Sequence, residues 1–460
     1  MKRGILLLTA LLFGCASPTL PSPDGKQDDW RSTTSGKSVM QQATRVTGHF
    51  NDPVLSQLIQ DVLSNNNDLA VAGFRLRQAW LAAGLADEAR FPGISATTTV
   101  ANSQQLKPKQ YSTESWQSDT SLSWEIDLWG KLARQRDQSV WQAQASDYDR
   151  SATALSLIKT TAELYWTIAL SNAQLENYDA QIAISQQLVN LVEQKYRAGE
   201  VSASDCYRAE QSVLQLALSR DALLAKRSRD RHALSILFDS SPRQQQPERV
   251  GLPDAGTVSG PEAIPLQALS NRPDVRKAEM QLRASLAGSD VARLNFYPTL
   301  SLSSALGSAS SMFSLWFAHP SRTVSASVAL PFLQWDKVML TVENADLDVK
   351  AAQADFRTAI WKALADTEDA YSDSRHALNQ YNMNNRNLEL SQALWQQEKM
   401  RYAQGETSLQ DALNAESAWL LAKNTLQSVN YDYLTSALTL WLTFNQEETG
   451  TSVNRNNEGT

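Results

Sequence analysis

Two carboxylates stand at matching distances from two glycines. Asp205 lies six residues past Gly199, and Asp411 lies six past Gly405. Each glycine closes a long stretch free of Gly and Pro, so each aspartate falls in the first turn of a following helix. There the positive end of the helix dipole stabilises a carboxylate. Other chemistry is sparse. His49, His232, His319 and His376 are scattered without metal-ligand spacing. No Ser/His/Asp arrangement, phosphate loop or dinucleotide fingerprint occurs. The remaining carboxylates sit on helices at the spacing of solvated faces. The residues therefore predict neither an enzyme, nor a metal site, nor a cofactor.

Cys15 is the other reactive group. Lys2 and Arg3 precede an apolar run from Ile5 to Phe13, followed by Gly14-Cys15. This is the layout of a secretory signal over 1–14, too short to cross a membrane. Leu12-Phe13-Gly14-Cys15 resembles a lipoprotein lipobox, which implies cleavage before Cys15 and its acylation. Ser17 in place of Asp directs such a lipoprotein to the outer membrane. Residues 15–50 are then expected to be an acylated tether, rich in Pro, Ser and Asp between Ser17 and Asp29. With only Cys15 and Cys206, no disulfide scaffold is available, and Cys206 reads as a small, half-buried side chain. A net charge of −7 without a basic cluster argues against a nucleic-acid partner.

The elements that must hold these residues occur twice. Lys195-Tyr196-Arg197-Ala198-Gly199-Glu200 returns as Arg401-Tyr402-Ala403-Gln404-Gly405-Glu406, an offset of 206 residues. The same offset carries Asp68 to Asp274, Phe91-Pro92 to Tyr297-Pro298, Trp129 to Trp335 and Tyr165 to Tyr371. One unit has been duplicated in tandem. The expected repeats are 51–241 and 266–446, joined by a Pro-rich linker at 242–265 and followed by a polar tail at 447–460.

Each repeat should hold two strands and two helices. The first has strands at 93–103 and 116–129, a long helix over 130–198 and a return helix over 202–239. The second has strands at 299–308 and 323–333, then helices over 335–404 and 408–445. Leu122, Trp124, Ile126 and Leu128 alternate with Asp119, Ser121, Ser123, Glu125 and Asp127. That alternation, flanked by Trp116, Trp129, Trp316 and Trp335, is the pattern of a membrane β-strand. Each long helix would extend about 100 Å, with Leu164, Ile168, Leu175, Ile182 and Val189 as a coiled-coil-like stripe. Four strands cannot seal a barrel in lipid, because open edges would strand backbone groups there. The chain must lend its strands to a shared barrel; spacing alone does not choose the number of copies.

Three separated motifs carry a resemblance: Trp124-Glu125-Ile126-Asp127-Leu128-Trp129-Gly130, Asn271-Arg272-Pro273-Asp274-Val275 and Arg293-Leu294-Asn295-Phe296-Tyr297-Pro298. With the duplication, they make the chain similar to the TolC-like outer membrane factors, and within them to the lipid-anchored NodT-type efflux group. The resemblance implies a mainly α fold with a membrane β-barrel: a homotrimer whose twelve strands close in outer membrane lipid above an α-helical periplasmic tunnel. It also implies an exit duct without catalytic activity, served by a periplasmic adaptor and an inner-membrane transporter of RND or ABC type. The hairpin tips at Gly199 and Gly405 would form the periplasmic gate. Asp411 matches an aspartate ring at the narrowest point, and Asp205 and Tyr402 match members of a latch. A second family aspartate is Asn414 here, and a family arginine is Thr407. The ring would thus hold three carboxylates, close enough to raise one another's pKa, attract cations and be plugged by multivalent ones. Asp119, Glu125 and Asp127 would line the lumen.

Drug or other small-molecule efflux is the expected function. Type I protein secretion is an alternative, and a structural coiled-coil envelope lipoprotein a second one.

Overall fold

The structure is a computed structural model, and it describes residues 34–443 except 105, 107–110 and 256–268. The chain order is α1 (Thr34–Gly48), α2 (Pro53–Asn65), α3 (Asn67–Glu88), β1 (Gly93–Ser103), β2 (Thr113–Ile126), α4 (Lys131–Arg197) and α5 (Ala203–Leu237). Then come α6 (Pro273–Leu294), β3 (Thr299–Ser310), β4 (Pro320–Ala329), α7 (Trp335–Ala403) and α8 (Leu409–Thr443). The 67 residues of α4 and 69 of α7 run unbroken because neither contains a Gly or Pro.

The elements form three parallel rows. The sheet is antiparallel in the order β1-β2-β3-β4. Below it, neighbouring helices give α3-α4-α6-α7, and towards the tips α5-α4-α8-α7. In every row the first repeat supplies one flank and the second repeat the other. The flanking helices are poorly covered. Among its described residues α5 buries only Leu234 and Ser235, and α7 only Val338, Ala363, Thr367, Ala370, Ser374 and Ala377.

The core lies midway down α4. Ala154, Leu157, Ile158, Ala162, Tyr165 and Trp166 pack against α1, α2 and the end of α8. Phe50 meets Trp166 at 4.9 Å between ring centres. Asp52 caps α2 by accepting from the backbone N–H groups of Val54 and Leu55, both at 3.1 Å. The expected tether over 15–50 is corrected here, because Thr34–Gly48 is helix. Val39, Ala43 and Val46 recur at helical spacing and are buried in the core.

Sheet register sorts the alternating residues onto two faces. Ile94 lies opposite Leu122, Leu122 opposite Ser304, and Ser304 opposite Val324. Trp124, Leu302 and Ala326 form the next row, then Ile126, Leu300 and Val328. The other face is hydroxyl-rich, with Ser95–Ser121 and Ser303–Ser325 hydrogen bonds at 2.8 Å. Asp119 lies there opposite Gly307, where an added Cβ would collide with its carboxylate.

Aromatic clusters mark both ends of the sheet. At the turn end Trp116 contacts Phe313 at 5.0 Å and Trp316 at 5.2 Å. At the helix end Trp129 contacts Tyr297, and Phe296 contacts Trp335, each at 5.0 Å.

Three strands differ from their expected bounds, the smallest change being β3, which covers Thr299–Ser310 rather than 299–308. β2 covers Thr113–Ile126 rather than 116–129. It ends early because Asp127 turns to cap α4, accepting from Leu132 N–H at 3.1 Å and Ala133 N–H at 2.9 Å. β4 covers Pro320–Ala329 rather than 323–333, because Pro331 starts a short 3-10 turn into α7.

Candidate functional site

The hairpin tips are built twice by the same stop-and-start chemistry. Gly199 takes φ 76° and Gly405 φ 75°, the left-handed region that Cβ disfavours. Gly199 N–H donates to Tyr196 C=O and Glu200 N–H to Lys195 C=O, both at 2.9 Å. In the second tip Gly405 N–H reaches Tyr402 C=O at 3.0 Å and Glu406 N–H reaches Arg401 C=O at 2.9 Å. These paired bonds satisfy carbonyls that the helix end would strand.

The next helices start on reciprocal caps. Asp205 accepts from the Ser202 backbone N–H at 3.0 Å and from its hydroxyl at 2.7 Å. Asp411 accepts from the hydroxyls of Ser408 at 2.6 Å and Thr407 at 3.2 Å, while its own N–H donates to Ser408 Oγ at 3.2 Å. The Ser202 hydroxyl and backbone N–H hold the Asp205 carboxyl below its ordinary range, with Arg208 adding to the effect. The Ser408 hydroxyl does the same for Asp411, helped by Thr407 and by the charge of Lys195. Both aspartates therefore carry full charge at neutral pH within one chain.

Both aspartates stand at one end of the molecule. A crevice of about 460 Å³ runs between the tips, lined in part by Lys195, Asp205, Arg208 and Gln410. Asn414 is exposed one turn beyond Asp411. Tyr402 is 43 % exposed and is not hydrogen-bonded to Asp205, whose partners are Ser202 and Arg208. Cys206 is a free, partly buried thiol. Cys15 lies outside the described residues.

The three expected lumen carboxylates differ in kind. Asp119 is on the polar sheet face, accepting from Gln117 Nε2 at 2.6 Å. Glu125 shares that face but is paired with Lys131 Nζ at 2.8 Å. Asp127 is corrected: it is beyond the strand, and both its oxygens are used as a helix cap.

Sequence reasoning missed a polar ladder between α4 and α8. Asn177 donates to Asn424 at 2.8 Å, Gln174 to Ser428 at 2.9 Å and Thr167 to Tyr431 at 3.0 Å. Closer to the tip, Ile184, Leu413 and Leu420 form an apolar clasp. Trp419 of this clasp stacks on Trp395 of α7 at 4.6 Å. Gln174 and Asn177, three apart on one helix face, were the available signal on the α4 side, and nothing in the sequence marked their partners.

Among the described residues there is no grouping of His, Cys, Asp or Glu that could hold a metal. No described helix is long and apolar enough to cross a membrane. Four strands with an apolar outer band, carried on two long helical hairpins, define a subunit of an outer membrane channel with a helical extension. The chain belongs to the outer membrane efflux protein family, whose model matches residues 58–236 and 264–445.

It is similar to the pyoverdine export outer membrane protein OpmQ of Pseudomonas putida, with 26 % identity over 95 % of each chain. It is also similar to the cation efflux system protein CusC of Escherichia coli, with 24 % identity over 85 % of this chain and 86 % of that one. Among solved structures it matches the outer-membrane channel OprN at TM-score 0.72 and 26 % identity, covering 87 % of this chain and 91 % of that one. The CmeC channel of Campylobacter jejuni has the same fold, at TM-score 0.75 and 22 % identity over 86 % of each chain. The protein is an outer membrane exit duct of an efflux pump, with its helical part in the periplasm.

Proposed function

We propose that three copies close into one channel that passively carries small compounds from an adaptor and an inner-membrane transporter to the exterior. The observation that carries this reading is the flank order. β1 and β4, α3 and α7, and α5 and α7 stand at opposite edges of their rows. Joining the first-repeat flank of one copy to the second-repeat flank of the next is a head-to-tail contact, which repeats until a ring closes. Three copies give twelve strands, within the range of membrane barrels, whereas four strands alone cannot seal.

The apolar sheet face then meets lipid and the hydroxyl face, with Asp119, lines the lumen. The tips bring three Asp411 carboxylates to the axis, where their mutual repulsion opposes the downward pull of Ser408 and favours cations. Acylation of Cys15 anchors each chain to the membrane. The transporter is of RND or ABC type. The relatives named for pyoverdine export and cation efflux support small-molecule efflux over protein secretion.

The test is the mass of the assembly extracted from outer membranes, measured with its conductance in planar bilayers. Three chains per conducting particle are expected. A monomeric or dimeric particle, or one without conductance, overturns the reading.

A further inference from the structure

The sheet carries a charge that duct function does not use. On the apolar face of the four strands, the charged residues are Glu114 and Arg322. Glu114 is at the far rim of β2, where it accepts from Trp116 Nε1 at 3.4 Å. Arg322 is exposed, opposite Leu306, which is itself opposite Thr120. It has no hydrogen-bond or ion-pair partner among the described residues. An unpaired guanidinium on a face otherwise made for hydrocarbon is costly away from a polar boundary.

Its surroundings place that boundary. The helices leave the sheet at the Trp129 end, so the β3–β4 turn lies at the opposite, extracellular end. That turn is unusually apolar: Met312 is 51 % exposed, Phe313 62 % and Phe317 70 %. It folds onto the apolar face, because Trp116 lies on that face and contacts both Phe313 and Trp316. Phe317 stacks on Trp316 at 5.0 Å, and the Ser308 hydroxyl donates to the Trp316 carbonyl, which fixes the turn there. The next row outward from Leu306 and Arg322 on this face is Thr98, Ser118, Ser308 and Pro320, with Trp116 in the row beyond. Arg322 therefore stands where the apolar rows give way to hydroxyls at the outer-leaflet boundary, beneath an aromatic shelf.

We propose that Arg322 and the Phe313–Phe317 turn form a binding site for a phosphorylated glycolipid of the outer leaflet. The guanidinium pairs with a lipid A phosphate and the exposed rings pack on its acyl chains. A planar guanidinium matches phosphate oxygens bidentately, and an aromatic shelf suits the hydrocarbon beside the headgroup. The site rests on the membrane-barrel reading above, since it needs the apolar face to meet lipid.

The test uses the full chain in detergent, titrated with lipid A, with dephosphorylated lipid A and with phosphatidylglycerol, reading bound lipid per chain by native mass spectrometry. Wild type should prefer lipid A over the dephosphorylated form. Arg322→Gln should lose roughly fivefold in lipid A affinity, the effect of one cation near an anionic surface, and should no longer distinguish the two forms. Arg322→Lys should retain part of the preference. Phe317→Ser should bind lipid A more weakly yet still prefer phosphate.

Equal lipid A binding by wild type and Arg322→Gln overturns the site. So does phosphatidylglycerol binding as tight as that of lipid A, which would mean generic anionic attraction. Assembly mass and conductance of the same preparations separate the two readings. A conducting trimer without phosphate preference removes only the lipid site, whereas absence of a membrane-inserted assembly removes both.

Discussion

Asp205 and Asp411 do two jobs with one carboxylate each. Each closes a capping box at a helix start, and each projects charge at the end of the molecule. Their spacing from glycine was legible in the sequence; the serines that cap them were adjacent but unread, because a hydroxyl's partner is set by local geometry. Asp127 was misread for the same reason. Its position continues the strand alternation, and only the turn at Gly130, with φ 77°, shows it facing back to α4. The two jobs separate by substitution. Asp411→Asn keeps an acceptor for Ser408 and Thr407 but removes the charge. It should reduce the preference for K⁺ over Cl⁻ and relieve block by trivalent cations, while helix content is unchanged. Reversal potentials in planar bilayers read this directly, and selectivity equal to wild type would reject the axial position of Asp411. The capping contribution follows a separate rule. A carboxylate held below its unfolded range stabilises the fold above that range and stops doing so as pH falls through the folded value. The tips should therefore fray only in strong acid, below about pH 4.

At the level of elements, the ends of the hairpins could be read from the sequence and their sides could not. Gly199 and Gly405 announced where α4 and α7 stop, since few other residues accept the backbone they adopt. The Asn177–Asn424 contact joins residues 247 apart, and no local pattern encodes such a pairing. Both amides are buried, Asn177 at 2 % exposure and Asn424 at 9 %. A polar pair inside a helix–helix seam fixes register at some expense in stability. Asn177→Leu alone leaves Asn424 buried without its donor, which should destabilise by about 1–3 kcal/mol. Adding Asn424→Leu should recover most of that loss. Denaturant midpoints of the single and double variants measure the coupling, and additive losses would show that the amides act independently.

For the whole molecule, the duplication was the most informative part of the sequence, because its constant offset required matching elements side by side. The belt where the repeats meet was less legible. Residues assigned to a tether and a linker are packed into it: α1 on α4, Arg249 against Asp52 at 2.9 Å, and Asp254 accepting from Tyr381 at 2.6 Å. Burial pushes the Tyr165 phenol up to about 12, with the Asp52 charge adding to it. Burial and the hydrogen bond to Asp254 push Tyr381 to about 12. Each folded value exceeds the unfolded one, so both phenols stabilise the belt fully below about pH 10 and lose that contribution as pH rises towards the folded value. Tyrosinate absorbance and helical circular dichroism should change together between pH 10 and 12. Ionisation of both phenols near pH 10 with helicity intact would contradict the buried belt.

The rows place one repeat at each flank, and α4 touches α8 much as neighbouring copies would touch in the proposed ring. Each repeat carries a donor flank and an acceptor flank of similar design. In the proposed ring of three copies, six such repeats surround one axis. Fusing two repeats into one polypeptide leaves three seams to form between chains instead of six, and frees the twin tips to diverge, one keeping Arg208 beside its aspartate and the other Asn414.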